Sequence, residues 1–597
     1  MKQFSLIALC VCYLLIFSFL VYYPKFEKDG TEATISYDVA GYYLYLPAIF
    51  IYNDVHHLAF QQSINEKYKF ADSPYQGVLL ADSTYTMKYP IGASVMYAPF
   101  FFIAHGYAKI MGLNADGFSP PYQRMISLGC LCYAFLGLLL LRKILLNYFS
   151  EITTGITLLL LVAATNYLNY SAIDNAMTHN LLFTVFALIL YLTIKFYCTP
   201  TFKYAIGIGL LCGLAIIIRP TDIIICLIPL LWGVYNITSF KSRYKLLIKN
   251  YGKVLMFLFS AFAITSIQLL YWKITTNHWL FYSYGEQKFD WLAPHIKEGI
   301  FSYKKGWWIY TPFMILIIPG FIRLLKQHKA LFPSLFLFTI INIYIAFSWS
   351  IWWYGGSLGQ RSMVESYALL SFPIAALVSF IVQSNNFVKI MTGVFALFTI
   401  WYNFVLTIQA HSHLGILDSE NTNKSYFIQT FGKTKINTDV KRFLDTDEVY
   451  KGNANNKVEI YFNDIEYDTM HIDTNSMLFG KKSLFVTHQI QGTQPYAVPI
   501  PNYKAEWLRV SGDFLTVEKV WDVWKMPQFT LQFKNDNQIV KSKFVRLHRL
   551  INQGEKKHIA FDVKIPEQPY NSLTIFMWNA DGNSTTFMDN LRVEILE

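Results

Sequence analysis

The sequence predicts a polytopic α-helical membrane domain followed by an all-β sandwich, and three observations carry that expectation. Of 597 residues, 54% are hydrophobic and only 15% charged, a balance too apolar for a soluble chain. About eleven apolar stretches approach the roughly 20 residues that a bilayer crossing needs. Near residue 411 the apolar runs give way to Asn, Asp, Lys and Thr, with short alternating segments between turn signals.

The expected spans fall at 4–23, 120–141, 152–170, 180–197, 204–219, 221–238, 253–273, 307–324, 330–348, 364–383 and 387–408. The first is too long for an ordinary signal-peptide core and has no small-x-small cleavage site before Pro24, so it reads as an uncleaved span with the N-terminus inside. A further stretch, 91–112, is long enough to cross, but Pro99, His105 and Lys109 suit a helix lying along the interface. Lys/Arg bias decides between the two placements. With 91–112 on the surface, the turns around Arg142–Lys143, Lys195–Lys203, Lys241–Lys253, Arg323–Lys329 and Lys389 all fall inside; as a span it would send them all outside. The formal charge of +11 is thereby absorbed by inside turns, which argues against a nucleic-acid partner. All seven cysteines lie at or before Cys226, in or beside apolar segments, so the downstream part has no disulfide framework. The Cys10/Cys12 and Cys130/Cys132 pairs read as small packing residues rather than metal ligands.

This threading places on the outer face a long first loop (24–119), turns around Asp174 and Arg219, a loop at 274–306, a Trp-rich turn at 349–363 and the whole C-terminal part. There, 411–455 reads as a polar connector. The runs KVEIYF, SLFVTH, WLRVSGDF, FTLQFKN, HIAFDVKI, SLTIFMW and LRVEIL, spaced by GTQP, KNDNQ and NADGN, read as an antiparallel sandwich over 456–597.

Asp38, Asp174, Arg219 and Arg361 sit at the outer ends of apolar segments. Charge beside hydrocarbon is costly and is rarely kept without a task. Asp38, about 15 residues beyond the first span, could act as general base or metal ligand, or simply cap a helix over 41–51. Tyr42, Tyr43 and Tyr45, with Leu46, Ile49 and Phe50, fit an amphipathic helix in the interface. Lys88, in MKYPIGASVMYAPF, suits an anionic head group or snorkels beside lipid. Asp174 and His179 lie five apart and so do not share a helix face; His179 equally suits a helix-terminal hydrogen bond. Arg219, in IIIRPTD, offers a planar fork to a phosphate or closes a hairpin with Asp222. Lys304 and Lys305 beside Gly306 offer charge and close backbone approach, while Trp307, Trp308 and Tyr310 fit an interfacial belt. Arg361 contacts a ligand or pairs with Glu365 one helical turn on. In the sandwich, Trp507, Trp521, Trp524 and Trp578 are either core or platforms for sugar rings.

Taken together, the Asp38 loop, KYPIG, the Asp174 turn, the RPT break, KKGWWIYTP and GGSLGQRSMVESYALL resemble the GT-C superfamily of integral-membrane glycosyltransferases, in the branch of protein O-mannosyltransferases and lipid A aminoarabinose transferases. The resemblance covers about residues 1–408. Asp38 lacks the adjacent Glu common in that branch, and no basic-then-acidic pattern precedes Asp174, which leaves the donor sugar and a divalent-metal requirement open. The resemblance implies transfer of a sugar, with inversion, from a polyprenyl-phosphate donor to a lipid, glycan or protein acceptor on the outer face of a bacterial inner membrane. It implies Asp38 and Asp174 as catalytic residues. Lys88, His179, Arg219, Lys304, Lys305, Arg361 and Glu365 would be substrate-binding. The sandwich resembles jelly-roll carbohydrate-binding modules. The alternatives are a transporter or flippase, or a polymerase or ligase, of lipid-linked glycans.

Overall fold

A computed structural model describes residues 3–71, 76–411, 416–418, 420–452, 457–474, 478–499, 505–518, 520, 523–536 and 538–596. The chain divides into two compact units, Met1–His411 and Ser412–Glu597.

The first unit is helical. Among the described residues, five helices are long and apolar enough to cross a bilayer: Phe4–Glu27, Pro120–Leu145, Thr178–Cys198, Tyr251–Thr276 and Asn386–Ala410. Shorter apolar helices, including Phe202–Ile218, Phe332–Ser348 and Tyr367–Gln383, pack with them around one apolar core. Three expected spans are not single helices. The 152–170 stretch breaks after Ala163 and resumes at Tyr167–Ala172. The 221–238 stretch is a 3-10 segment, Pro220–Cys226, running into a short helix that ends at Leu231. The 307–324 stretch is interrupted at Pro312, which cannot donate a helical hydrogen bond. Apolar length alone therefore overcounts continuous helices, because the breaks lie within apolar sequence.

The first loop also departs from expectation. Instead of one amphipathic helix at the interface, two short helices, Tyr37–Tyr43 and Tyr45–Phe50, are sunk into the protein. Tyr43 and Tyr45 can be buried there because their hydroxyls donate to the carbonyls of Gly117 and Tyr89, each at 2.6 Å. A small antiparallel hairpin, β1 (Gly77–Leu79) with β2 (Tyr85–Met87), leads into Lys88 and Tyr89. The 91–112 stretch forms the helix Gly92–Ile110, with Tyr97, Phe101 and Ala104 buried and Phe102, Ile103 and Ile110 exposed.

Two contacts without side chains bring these elements together. A Cβ on Gly92 would lie 2.4–2.5 Å from the Ile217 and Ile218 backbone, so only glycine lets this helix touch the segment just before Arg219. A Cβ on Gly41 would lie 2.4 Å from the Tyr89 ring, which crosses the Asp38 helix at that point.

The second unit is a two-sheet antiparallel sandwich. Its strands are β3 (Lys457–Asn463), β4 (Ile472–Asp473), β5 (Ser483–Val486), β6 (Tyr496–Ala497), β7 (Trp507–Thr516), β8 (Gln528–Asn535), β9 (Gln538–Arg546), β10 (Lys556–Lys564), β11 (Ser572–Trp578) and β12 (Thr586–Leu596). One sheet runs β10-β7-β12-β5-β4, with β3 also on β12, and the other runs β6-β11-β8-β9. Alternation supplies the core: Phe529, Leu531 and Phe533 face Leu573, Ile575 and Met577 of the neighbouring strand and the inward residues of the other sheet. Strand β9 is absent from the sequence expectation because Lys541 and Lys543 interrupt its apolar pattern. It is an edge strand, and both lysines pair with Glu448. The polar stretch before β3 thus closes an edge of the sandwich, and Asp445 bridges Arg546 and Arg549 there. Of the four tryptophans, Trp507 is half-buried, Trp524 and Trp578 are exposed, and Trp521 lies outside the described residues.

Candidate functional site

Asp38 lies in the first turn of the helix Tyr37–Tyr43, whose N-cap position is Ser36, so it is not that helix's cap. Its carboxylate is claimed by distant groups instead. Oδ1 accepts from the Tyr89 hydroxyl at 2.6 Å and Oδ2 from Arg361 Nη2 at 2.6 Å. Although set among protein groups, its side chain keeps 28% exposure, so a small polar group can approach it. Burial acts to raise the Asp38 carboxyl. The Arg361 charge, the hydrogen bonds from Tyr89 and Arg361 and the field of Lys88 outweigh burial and hold it below the ordinary carboxylate range. The phenol of Tyr89 is pushed well up by burial and by Asp38, so it stays a donor.

Arg219 ends the helix Phe202–Ile218, where Pro220 starts the 3-10 segment. It does not close a hairpin with Asp222. Its Nη1 donates to Glu365 Oε1 at 2.7 Å, and Asp222 is buried with no hydrogen-bond partner for Oδ2 among the described residues. Nor does Glu365 pair with Arg361: its other oxygen, Oε2, meets His179 Nδ1 at 2.8 Å, and the residue is 1% exposed. His179 Nδ1 also lies 3.2 Å from Arg219 Nη1. A ring nitrogen turning its proton to Glu365 has no lone pair for Arg219, so the Arg219–Glu365 pair is the stronger contact. Both helix-local ion pairs drawn from spacing are thus replaced by pairs between separate segments. Buried charges take the partner that satisfies geometry, whatever its sequence distance.

The two groups adjoin. Arg361 and Asp38 both act electrostatically on His179, and Tyr42, whose ring centroid is 4.4 Å from that of Tyr89, feels Asp38, Arg219 and Arg361 together. The Lys88 ammonium lies over the Tyr89 and Tyr284 rings, at 5.6 and 5.8 Å. The structure therefore assembles Asp38, Lys88, His179, Arg219, Arg361 and Glu365.

Three expected residues stand elsewhere. Lys305 is buried, and its ammonium donates to the carbonyls of Gly355 and Ser357 and to Ser357 Oγ. It anchors the turn before Arg361 rather than facing an open cleft. Asn166, at the helix break, donates to the Leu358 and Gln360 carbonyls and accepts from the Tyr367 hydroxyl, which pins the same turn from below. Lys304 stacks on Trp353, 3.4 Å from its centroid. Asp174 belongs to a second cluster. It accepts from Lys25 Nζ at 3.0 Å and Asn169 Nδ2 at 2.8 Å, with His411 Nε2 at 3.8 Å. Burial would raise its carboxyl, but the charges of Lys25 and His411 and the hydrogen bonds from Asn169 and Lys25 hold it well below the usual range. Sequence reasoning missed Lys25 and His411. The signal was present: each charged or titratable side chain directly follows an apolar helix on the Asp174 side of the chain's threading.

Among the described residues, no three His, Cys, Asp or Glu side chains gather as a metal-ligand set. Both Asp38 oxygens are committed, one to the Tyr89 hydroxyl and one to Arg361, so the described residues around it do not fit a divalent-metal site.

No family model matches the chain, and no curated protein does. Among solved structures it is similar to the oligosaccharyltransferase AglB of Archaeoglobus fulgidus in complex with an inhibitory peptide and a dolichol-phosphate. That alignment has 11% identity and a TM-score of 0.41, and covers 72% of this chain and 57% of that one. Arabinosyltransferase EmbB of Mycobacterium smegmatis aligns at 10% identity and a TM-score of 0.32, over 85% of this chain and 59% of that one. The chain spans little more than half the length of either. The CBM22-1 xylan-binding domain of Paenibacillus barcinonensis Xyn10C aligns at 13% identity and a TM-score of 0.15, over 24% of this chain and 96% of that domain. With each TM-score below 0.5, the functional reading rests on the side chains of the site.

Proposed function

We propose that this chain is a membrane glycosyltransferase that moves a sugar from a polyprenyl-phosphate donor to a hydroxyl of a lipid, glycan or protein acceptor at the extracytoplasmic face. The observation that carries this reading is a partly open carboxylate, Asp38, paired with the Arg361 guanidinium of a distant segment and neighboured by the Arg219–Glu365–His179 cluster. One further detail supports an anionic ligand. Arg361 Nε is buried without a hydrogen-bond partner among the described residues, a donor that a phosphate oxygen would satisfy.

On this reading the acceptor oxygen attacks the anomeric carbon and its bond to the phosphate oxygen breaks. The acceptor proton passes to Asp38, and the polyprenyl phosphate leaves with the bonding electrons. Arg361, Lys88 and Arg219 stabilise the charge that grows on the leaving phosphate. Asp38 is a weak base while paired with Arg361. A donor phosphate that draws Arg361 to itself removes the main influence depressing the carboxyl, so donor binding and base activation are coupled. Asp174, with Lys25, orients a donor or acceptor hydroxyl. Trp524 and Trp578 of the sandwich offer exposed rings to an acceptor glycan.

The test is transfer from labelled polyprenyl-phosphate sugars by purified protein. Asp38→Asn keeps shape and loses the base, and turnover should fall by about 100-fold or more. Full activity in that variant would sink the assignment.

A further inference from the structure

We propose that the helix Ile237–Lys249 is a docking surface for a bilayer rich in anionic phospholipid, independent of the transfer reaction. Ile237, Phe240, Tyr244 and Ile248 recur at spacings of three and four and so form one stripe along the helix. All four are exposed, at 67, 48, 60 and 54%. Lys241, Lys245 and Lys249 each follow a member of that stripe by one residue, which lays a row of ammonium groups directly beside it. No residue of this helix is buried in the protein. It is nevertheless a built element. An Asn236/Ser239 capping box fixes its start, and the Arg243 guanidinium stacks over Tyr197 at 4.2 Å.

Charge complementarity names the occupant. No acidic residue occurs anywhere between Asp222 and Glu286, so this stretch of chain offers its lysines no carboxylate. An apolar stripe alone fits any bilayer surface, whereas one edged by uncompensated lysines selects negative head groups. The following helix, Tyr251–Thr276, is among those long enough to cross. The basic helix therefore ends where that span enters the membrane, at the depth where lysine stems lie along acyl chains and their heads reach phosphate. The Lys/Arg threading puts this end on the cytoplasmic side, where anionic lipid is concentrated.

The test is hydrogen exchange of the full chain in nanodiscs of phosphatidylcholine with and without phosphatidylglycerol. Amides of 237–249 should exchange about tenfold more slowly in the anionic discs, and added salt should erode that protection. K241Q/K245Q/K249Q should abolish the difference, while 251–276 stays equally protected in both disc types and reports an intact fold. Equal exchange in the two lipids, or protection that the triple variant retains, overturns the proposal. So does protection that depends on the number of protein copies per disc, which would make a second copy the occupant.

Discussion

Charge at Glu365 has no water to fall back on. Its two oxygens hold Arg219 and His179, and Glu365→Gln removes the charge while keeping the outline. An unmatched guanidinium then remains in an apolar surround, and stability should drop by about 3–5 kcal/mol, read as a lowered thermal midpoint in detergent. Asp174 makes a prediction in pH. Its carboxyl is held well below the ordinary value by Lys25 and its neighbours, so the unfolded chain binds the proton more readily than the folded one. The stability it contributes is complete above about pH 4 and is lost as pH falls from there toward the depressed value. Thermal midpoints should therefore decline below about pH 4 in the parent and less steeply in Asp174→Asn. Asp38 is likewise depressed in the free chain, so the acid limb of kcat/KM should lie below about pH 4. Arg361→Gln leaves burial as the dominant influence and should move that limb upward. At this scale the residue types were legible from sequence, because charges that interrupt apolar runs are conspicuous. Their partners were not, since spacing favours neighbours such as Arg219–Asp222 and Arg361–Glu365.

Elements position these groups through close approach rather than through rigid spans. A methyl on Gly41 would overlap the Tyr89 ring. Gly41→Ala should cost about 1–3 kcal/mol by overpacking, and it should impair transfer more than its small volume suggests, because the Tyr89–Asp38 hydrogen bond moves with the ring. The turn 349–363 shows the opposite device, a loop held by buried donors. Lys305 and Asn166 both serve its carbonyls, so a lysine expected to face a ligand is instead spent on holding the turn. The helix Phe202–Ile218 ends within a residue of the expected span, where a long apolar run meets Pro220. The breaks at Asn166 and Pro312 lie inside long apolar stretches, where a single polar residue or proline was outweighed by the run around it.

The chain as a whole divides at His411, yet the polar stretch before the first sandwich strand belongs with the sandwich. Asp445 is fully buried between Arg546 and Arg549, and Glu448 joins lysines of the edge strand. A fragment of residues 412–597 should therefore unfold cooperatively by itself, whereas 456–597 should lose about 3–5 kcal/mol from its stranded arginines, measurable by denaturant titration. The alternating strands were plain in the sequence, but a connector that doubles as an edge cover was not, because its role is set by charges on strands it does not adjoin in sequence.

Asp38 and Arg361 lie 323 positions apart. A ribosome feeding this chain into the bilayer thus exposes the acid long before its counter-ion exists, and the nascent protein carries an unmatched carboxylate until most of the helical unit has been inserted.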